Sequence, residues 1–221
     1  MNEAQARDEI CRVGKSLFER GYVHATAGNI SMRLEDGSFL ITPTDACLGF
    51  LDPARLAQVD AQGRHVAGDR PSKTLALHSR VVQEAAKYDP ATRCVLHTHS
   101  THCVSLSLTD REEELLPPVT PYFVMKVGHV PHVPYHRPGT PAAAEAVGRL
   151  IGRYGEAATP IRAVILNRLG PVVWHESPAT AMAVLEELEE TARLLCLARA
   201  PLQPLEPAAI EELRASFGAR W

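Results

Sequence analysis

The tripeptide Glu35-Asp36-Gly37 separates two short apolar runs, one closing HATAGNISMRL at 24–34 and one in SFLITPT at 38–44. A connection that short returns a strand antiparallel to itself, because a parallel neighbour needs a crossover of roughly a dozen residues. The chain therefore begins its sheet with a hairpin. Further on the pattern runs helix, strand, helix, strands, helix, without strict βαβ alternation. No glycine-rich phosphate fingerprint follows a first strand, so a dinucleotide fold is excluded. The fold class expected is α/β: a mostly antiparallel or mixed central sheet flanked by helices on both faces.

Residues 3–20 carry Ile10, Val13, Leu17 and Phe18 at helical spacing, and Gly21 ends that helix. The segment 50–69 reads as an excursion, with a helical turn at 53–56 and two strands around the tight turn Ala61-Gln62-Gly63. Residues 71–86 read as a helix with Pro71 ahead of it and Ser72 as its cap. A β-rich run covers 92–99, and Ser100 is the candidate cap of the next helix. Six prolines between 117 and 138 imply extended or looped chain. Helices over 140–154 and 177–199 open on Thr-Pro and Ser-Pro, and two strands around a Gly-Pro turn lie between them at 162–175. A last helix runs toward Trp221. With no internal repeat or low-complexity block, residues 1–221 are expected to form a single domain.

Twenty-three basic and 26 acidic residues give a net charge of −3, which predicts neither nucleic acid nor an anionic membrane surface as the main partner. No apolar run reaches the ~20 residues of a membrane span. The opening MNEAQARDEI has acids and amides where a signal peptide has basic residues and an apolar stretch. Cys11, Cys47, Cys94, Cys103 and Cys196 are odd in number and scattered, as reduced thiols of a cytoplasmic protein would be.

CVLHTHSTHC at 94–103 places three of the ten histidines within six positions. On a strand, residues i and i+2 share a face, so His97 and His99 project side by side. Two such imidazoles suit one divalent ion at about 2.0–2.1 Å, or form a hydrogen-bonded pair in a polar cleft. His102 turns away if the helix starts at Ser100, and reads as a structural residue or one that supports the ligands, with a place as a third ligand the alternative. Three donor-rich loops complete the inventory: Thr26 to Ser31, with Gly28 allowing close approach; Thr42 to Asp45; and Pro71-Ser72-Lys73, at an expected helix start that favours anions. Each alone is an ordinary turn. Together they fit one phosphate pocket.

ATAGNIS (25–31), ITPTD (41–45), PSK (71–73) and VLHTHSTH (95–102) stand in the order and spacing of the class II aldolase/adducin family, which the chain resembles from about Gln5 to Arg199. TDACLGFLDPARL (44–56), GDRPSK (68–73) and PYFVMKVGHVP (121–131) look most like the branch that decarboxylates a phosphorylated four-carbon 3-oxo sugar acid. The resemblance implies a three-layer sandwich around about nine strands, and a homotetramer with sites at subunit boundaries. It also implies a divalent metal, normally zinc, and a phosphorylated substrate. Carried over by position, Thr26, Gly28, Asn29, Thr44, Ser72 and Lys73 would surround the phosphate, and His97 and His99 would bind the metal.

Two positions depart from the family pattern. The Glu that usually follows the PSK triplet is Thr74, and the late metal-binding His aligns with Leu169, after Arg168. Among the spare histidines His129, His132, His136 and His175, His136 is a candidate to reach the site, although His132 and His136 also read as plain loop residues. The expected reaction is decarboxylation to dihydroxyacetone phosphate and CO2, with Lys73 pairing a substrate anion and Tyr122, Lys126 or water giving the proton. A sugar-phosphate aldolase and a catalytically impaired family member are the alternatives.

Overall fold

Helix α1 (Glu3–Glu19) starts on Asn2, which forms a capping box with Gln5. It buries Ile10, Val13 and Leu17, the stripe read from the sequence. The fold is described by a computed structural model for residues 1–109 and 113–221. Strands β1 (Asn29–Arg33) and β2 (Phe39–Ile41) form the expected hairpin, with Ser31 opposite Ile41. Short helical turns at Leu48–Phe50 and Pro53–Arg55 lead to β3 (Ala57–Val59) and β4 (His65–Ala67). Then follow α2 (Leu75–Ala85), β5 (Cys94–His97) and α3 (Thr101–Thr109). A π-helical turn at Phe123–Val127 and β6 (His132–Val133) precede α4 (Pro141–Glu156). The hairpin β7 (Ala163–Leu166) and β8 (Gly170–His175) leads into α5 (Pro178–Leu197) and α6 (Pro207–Phe217).

The described strands make one sheet in the order β4-β3-β2-β1-β5-β8-β7-β6, antiparallel except for β6 beside β7. Strand alternation divides its side chains between two cores. Ile30, Met32, Leu96, Ile165 and Val173 join α1, α3 and α5 on one face. Val95, Val164, Val172 and Trp174 join α2 and α4 on the other. Each such buried aliphatic or aromatic side chain contributes about 1.5–3 kcal/mol. The same alternation turns Asn29 and Ser31 away from the first core, and both are buried.

Four features differ from expectation. α2 begins at Leu75, not at 71, because the Ser72 N–H donates to the Thr42 carbonyl at 3.3 Å and Pro43 bridges to Pro71. Pro71-Ser72-Lys73 is thus a turn tied to the sheet, with Thr74 as the helix cap. β5 stops at His97, so His99 lies just past the strand. The Pro-rich stretch is not wholly extended: after Pro121 it tightens into the turn at Phe123–Val127, which buries Phe123, Val124 and Val127. The described strands number eight, where the family resemblance implied about nine.

Candidate active site

A cavity of about 200 Å³ opens beside the end of β5. Thr26, Gly28, Asn29, Thr44, Ser72, Lys73, His97 and His99 all line it, so the three loops and the histidine pair meet at one place. Gly28 explains the close assembly. It has φ +86°, and a Cβ there would lie 2.9 Å from the His97 carbonyl oxygen. Only glycine lets the first loop lie against the strand end. Asp45 in the second loop also sits at positive φ, +57°, a left-handed turn that Asp tolerates better than most non-glycine residues.

His97 is buried, and its Nδ1–H donates to the Pro171 carbonyl at 2.8 Å. That bond fixes the tautomer and leaves the Nε2 lone pair free. Its ring centroid is 5.0 Å from that of His99. Burial, then the neighbouring His99, holds the His97 pKa down to about 4. Burial, then His24, lowers His99 as well. Both imidazoles are therefore neutral near pH 7, the form that binds a metal. This donor pair fits two positions on a divalent ion. Among the described residues no group of three His, Cys, Asp or Glu is arranged to hold one. Leu169 lines the cavity wall, where a hydrocarbon cannot coordinate a metal.

At the opposite end the donors are wired together. The Thr74 hydroxyl donates to Asn29 Oδ1 at 3.0 Å and lies 2.9 Å from Ser72 Oγ. Since the single Thr74 proton goes to Asn29, Ser72 donates in that second bond. Lys73 is exposed at the cavity edge. His136, half-buried, lines the cavity with Pro138 and Gly139.

Other predicted residues go elsewhere. Tyr122 is 62% exposed and lines no part of the cavity, and Lys126 is exposed on the same turn. His102 leans on α5. Its Nδ1–H and backbone N–H both donate to Glu189 at 2.8 Å, and the Cys103 N–H adds a third bond at 3.1 Å. The Glu189 carboxylate thereby satisfies the start of α3 and holds His102 against α5. His129 bonds Glu114 at 3.0 Å and stacks on Trp221. His132 meets the Asn167 amide at 3.2 Å, and His175 accepts from the Glu176 N–H. Two residues escaped the sequence reading. His24 lies at an exposed turn with its ring centroid 6.4 Å from His99. His78 is buried on α2 against Asn29 and Ser31.

A family model described as the class II aldolase and adducin N-terminal domain matches residues 8–196. The chain belongs to this family. Among class II aldolase relatives, a 3-oxo-tetronate 4-phosphate decarboxylase from Cupriavidus necator is 50% identical over 99% of both chains. The solved structure of YgbL from Klebsiella pneumoniae superposes with a TM-score of 0.86 at 40% identity, covering 97% of this chain and all of that one. An L-fuculose phosphate aldolase from Methanococcus vannielii is 31% identical over 84% of this chain and 93% of its own. No helix among the described residues is long and apolar enough to cross a membrane.

Proposed function

We propose that the chain decarboxylates 3-oxo-tetronate 4-phosphate to dihydroxyacetone phosphate and CO2, as a cytoplasmic homo-oligomer using a divalent metal, zinc in the first instance. The observation that carries this reading is the convergence of three donor-rich loops and a neutral histidine pair on one cavity. Half-identity to the Cupriavidus necator decarboxylase across nearly the whole chain supports the substrate.

In this reading Thr26, Asn29, Thr44, Ser72 and Lys73 hold the phosphate, with Gly28 letting the backbone approach. His97 and His99 hold the metal, which supplies Lewis-acid stabilisation of the negative charge that develops on the substrate oxygens. The phosphate loops fix the substrate's far end, so the carboxylate breaks away in one orientation. Carbon dioxide leaves without a base. An aldol cleavage instead needs a group to take the proton from a hydroxyl, and Thr74 is no such base. The Thr74 position therefore favours decarboxylation over the aldolase alternative. The carbanion left behind needs a proton. His136, Lys73 and water are donors within reach of the cavity, whereas Tyr122 and Lys126 of this chain do not line it.

Supplying the purified chain with zinc and 3-oxo-tetronate 4-phosphate, and measuring CO2 against aldehyde release, tests the reading. Stoichiometric CO2 with dihydroxyacetone phosphate is expected. Aldehyde release from a sugar phosphate without CO2 would establish the aldolase. Inactivity on both, with sub-stoichiometric zinc under zinc-replete conditions, would establish an impaired family member.

A further inference from the structure

His78 is a fully buried imidazole that the reaction just described leaves unused. It sits on the apolar stripe of α2 beside Leu77, Val81 and Val82, where each neighbour packs into the second core. Its solvent exposure is zero. Its Nε2 lies 2.6 Å from Asn29 Oδ1 and its Nδ1 lies 2.7 Å from Ser31 Oγ. A carboxamide oxygen only accepts, so the proton of that first bond is on Nε2. In the neutral ring Nδ1 is then an acceptor, and the Ser31 hydroxyl donates to it. Burial, then the nearby His97, keeps the ring neutral by lowering its pKa to about 3.

Asn29 Oδ1 thus receives two donors, His78 from behind and Thr74 from the side. With the oxygen engaged, the amide NH2 is left to the cavity that Asn29 lines. A rotation of the carboxamide by half a turn would break both bonds and aim a carbonyl at an incoming anion.

We propose that His78, assisted by Thr74, is a positioning residue of the anion pocket: it holds the Asn29 carboxamide with its NH2 toward the phosphate. Ser31 belongs to the same device, because its hydroxyl donates to Nδ1 and so satisfies the ring in the tautomer that Asn29 requires. The register of β1 makes the arrangement possible, since Asn29 and Ser31 alternate with Ile30 and Met32 and so meet α2 together. The Thr74 hydroxyl matters here as a donor. A carboxylate at that position would offer Asn29 Oδ1 no proton at neutral pH. The proposal rests on the phosphate reading of this end of the cavity.

The test uses the full-length chain and two probes, inorganic phosphate and dihydroxyacetone phosphate, with binding followed by calorimetry. His78→Leu removes the donor, His78→Gln keeps an N–H at comparable reach, and Thr74→Val removes the second donor without touching the core. Loss of one such bond corresponds to about 10-fold weaker binding. Expected are that loss in His78→Leu, a smaller loss in Thr74→Val, and substantial recovery in His78→Gln. In turnover, KM should rise more than kcat falls. The ¹⁵N shifts of the wild-type ring should report a neutral imidazole protonated at Nε2. Equal impairment of His78→Gln and His78→Leu, or Nδ1 protonation, would overturn the proposal. If Lys73→Ala and Thr44→Ala weaken phosphate binding while both His78→Leu and Thr74→Val leave it intact, the positioning role alone is wrong. If none of the four variants weakens it, the phosphate pocket itself is wrong. Thr74→Val keeps the question open to refutation even if His78→Leu does not fold.

Discussion

The two ends of the cavity are built to different standards. At the phosphate end, Ser72, Thr74, Asn29, His78 and Ser31 form an unbroken series of hydrogen bonds. At the metal end, His97 is fixed by the Pro171 carbonyl, His99 lies beyond the strand, and Leu169 faces the space. One end is over-determined; the other, in the metal reading proposed above, offers two imidazoles and no third His, Cys, Asp or Glu placed to join them among the described residues. The difference matters for the chemistry proposed for this chain. A decarboxylase must hold the phosphate rigidly, since that fixes which bond breaks. The charge left after CO2 departs needs stabilising, but no base has to be held in place, so the loss of a carboxylate at position 74 is tolerable.

Four measurements break or sharpen that contrast. The largest effect is expected at the metal end: His97→Ala should lower decarboxylation by more than about 100-fold, beyond the loss typical of residues that merely support a ligand. Activity within a few-fold of wild type would mean the pair is not part of the chemistry. At the phosphate end, Lys73→Ala should raise KM by about 10- to 100-fold with kcat less affected, as expected when a charge-assisted bond to an anion is lost. Wild-type kinetics in that variant would remove Lys73 from the pocket. Leu169→His should bring a third imidazole to the cavity wall and tighten zinc about 10-fold, read by competition with a chelating dye. Unchanged affinity would show that the understaffed end is not limited by that position.

The smallest effect is a stability shift with pH. His78 and His97 have folded pKa values near 3 and 4, below the ordinary 6.5, because burial disfavours their charged forms. The unfolded chain takes up protons near pH 6.5 that the folded chain refuses. Stability from these two groups is thus complete above about pH 6.5 and declines as pH falls toward 4 and then 3. The Tm of the metal-free protein should drop between pH 7 and pH 5, and His78→Gln should flatten part of the slope. A level profile would contradict the burial of the two rings.

Much of this architecture was legible before any coordinates. The Glu35-Asp36-Gly37 hairpin could be read directly; His97 and His99 do meet at the cavity, but the strand period invoked for them ends at His97, and the loop beyond it carries His99 there. Helices opening on Thr-Pro and Ser-Pro carried their own start signals. The start of α2 was not legible. Ser72 looks like a cap, yet its N–H is captured by the carbonyl of Thr42, just past the end of β2 and thirty residues earlier. Tyr122 is one of three proton donors between which the sequence does not choose, and only the fold shows it lying outside its own chain's cavity. His78 was hidden for a different reason: a single histidine on an apolar stripe resembles an ordinary core residue. The clue was on another element. Asn29 and Ser31 share one face of β1, so two polar groups had to find partners on whatever helix covered them.

The most direct test of the central claim is anomalous diffraction from zinc-soaked crystals. A peak is expected about 2.0–2.1 Å from His97 Nε2 and from the His99 ring. Crystals held in excess zinc that show no density there, with the two imidazoles swung apart, would contradict a metal-assisted decarboxylase.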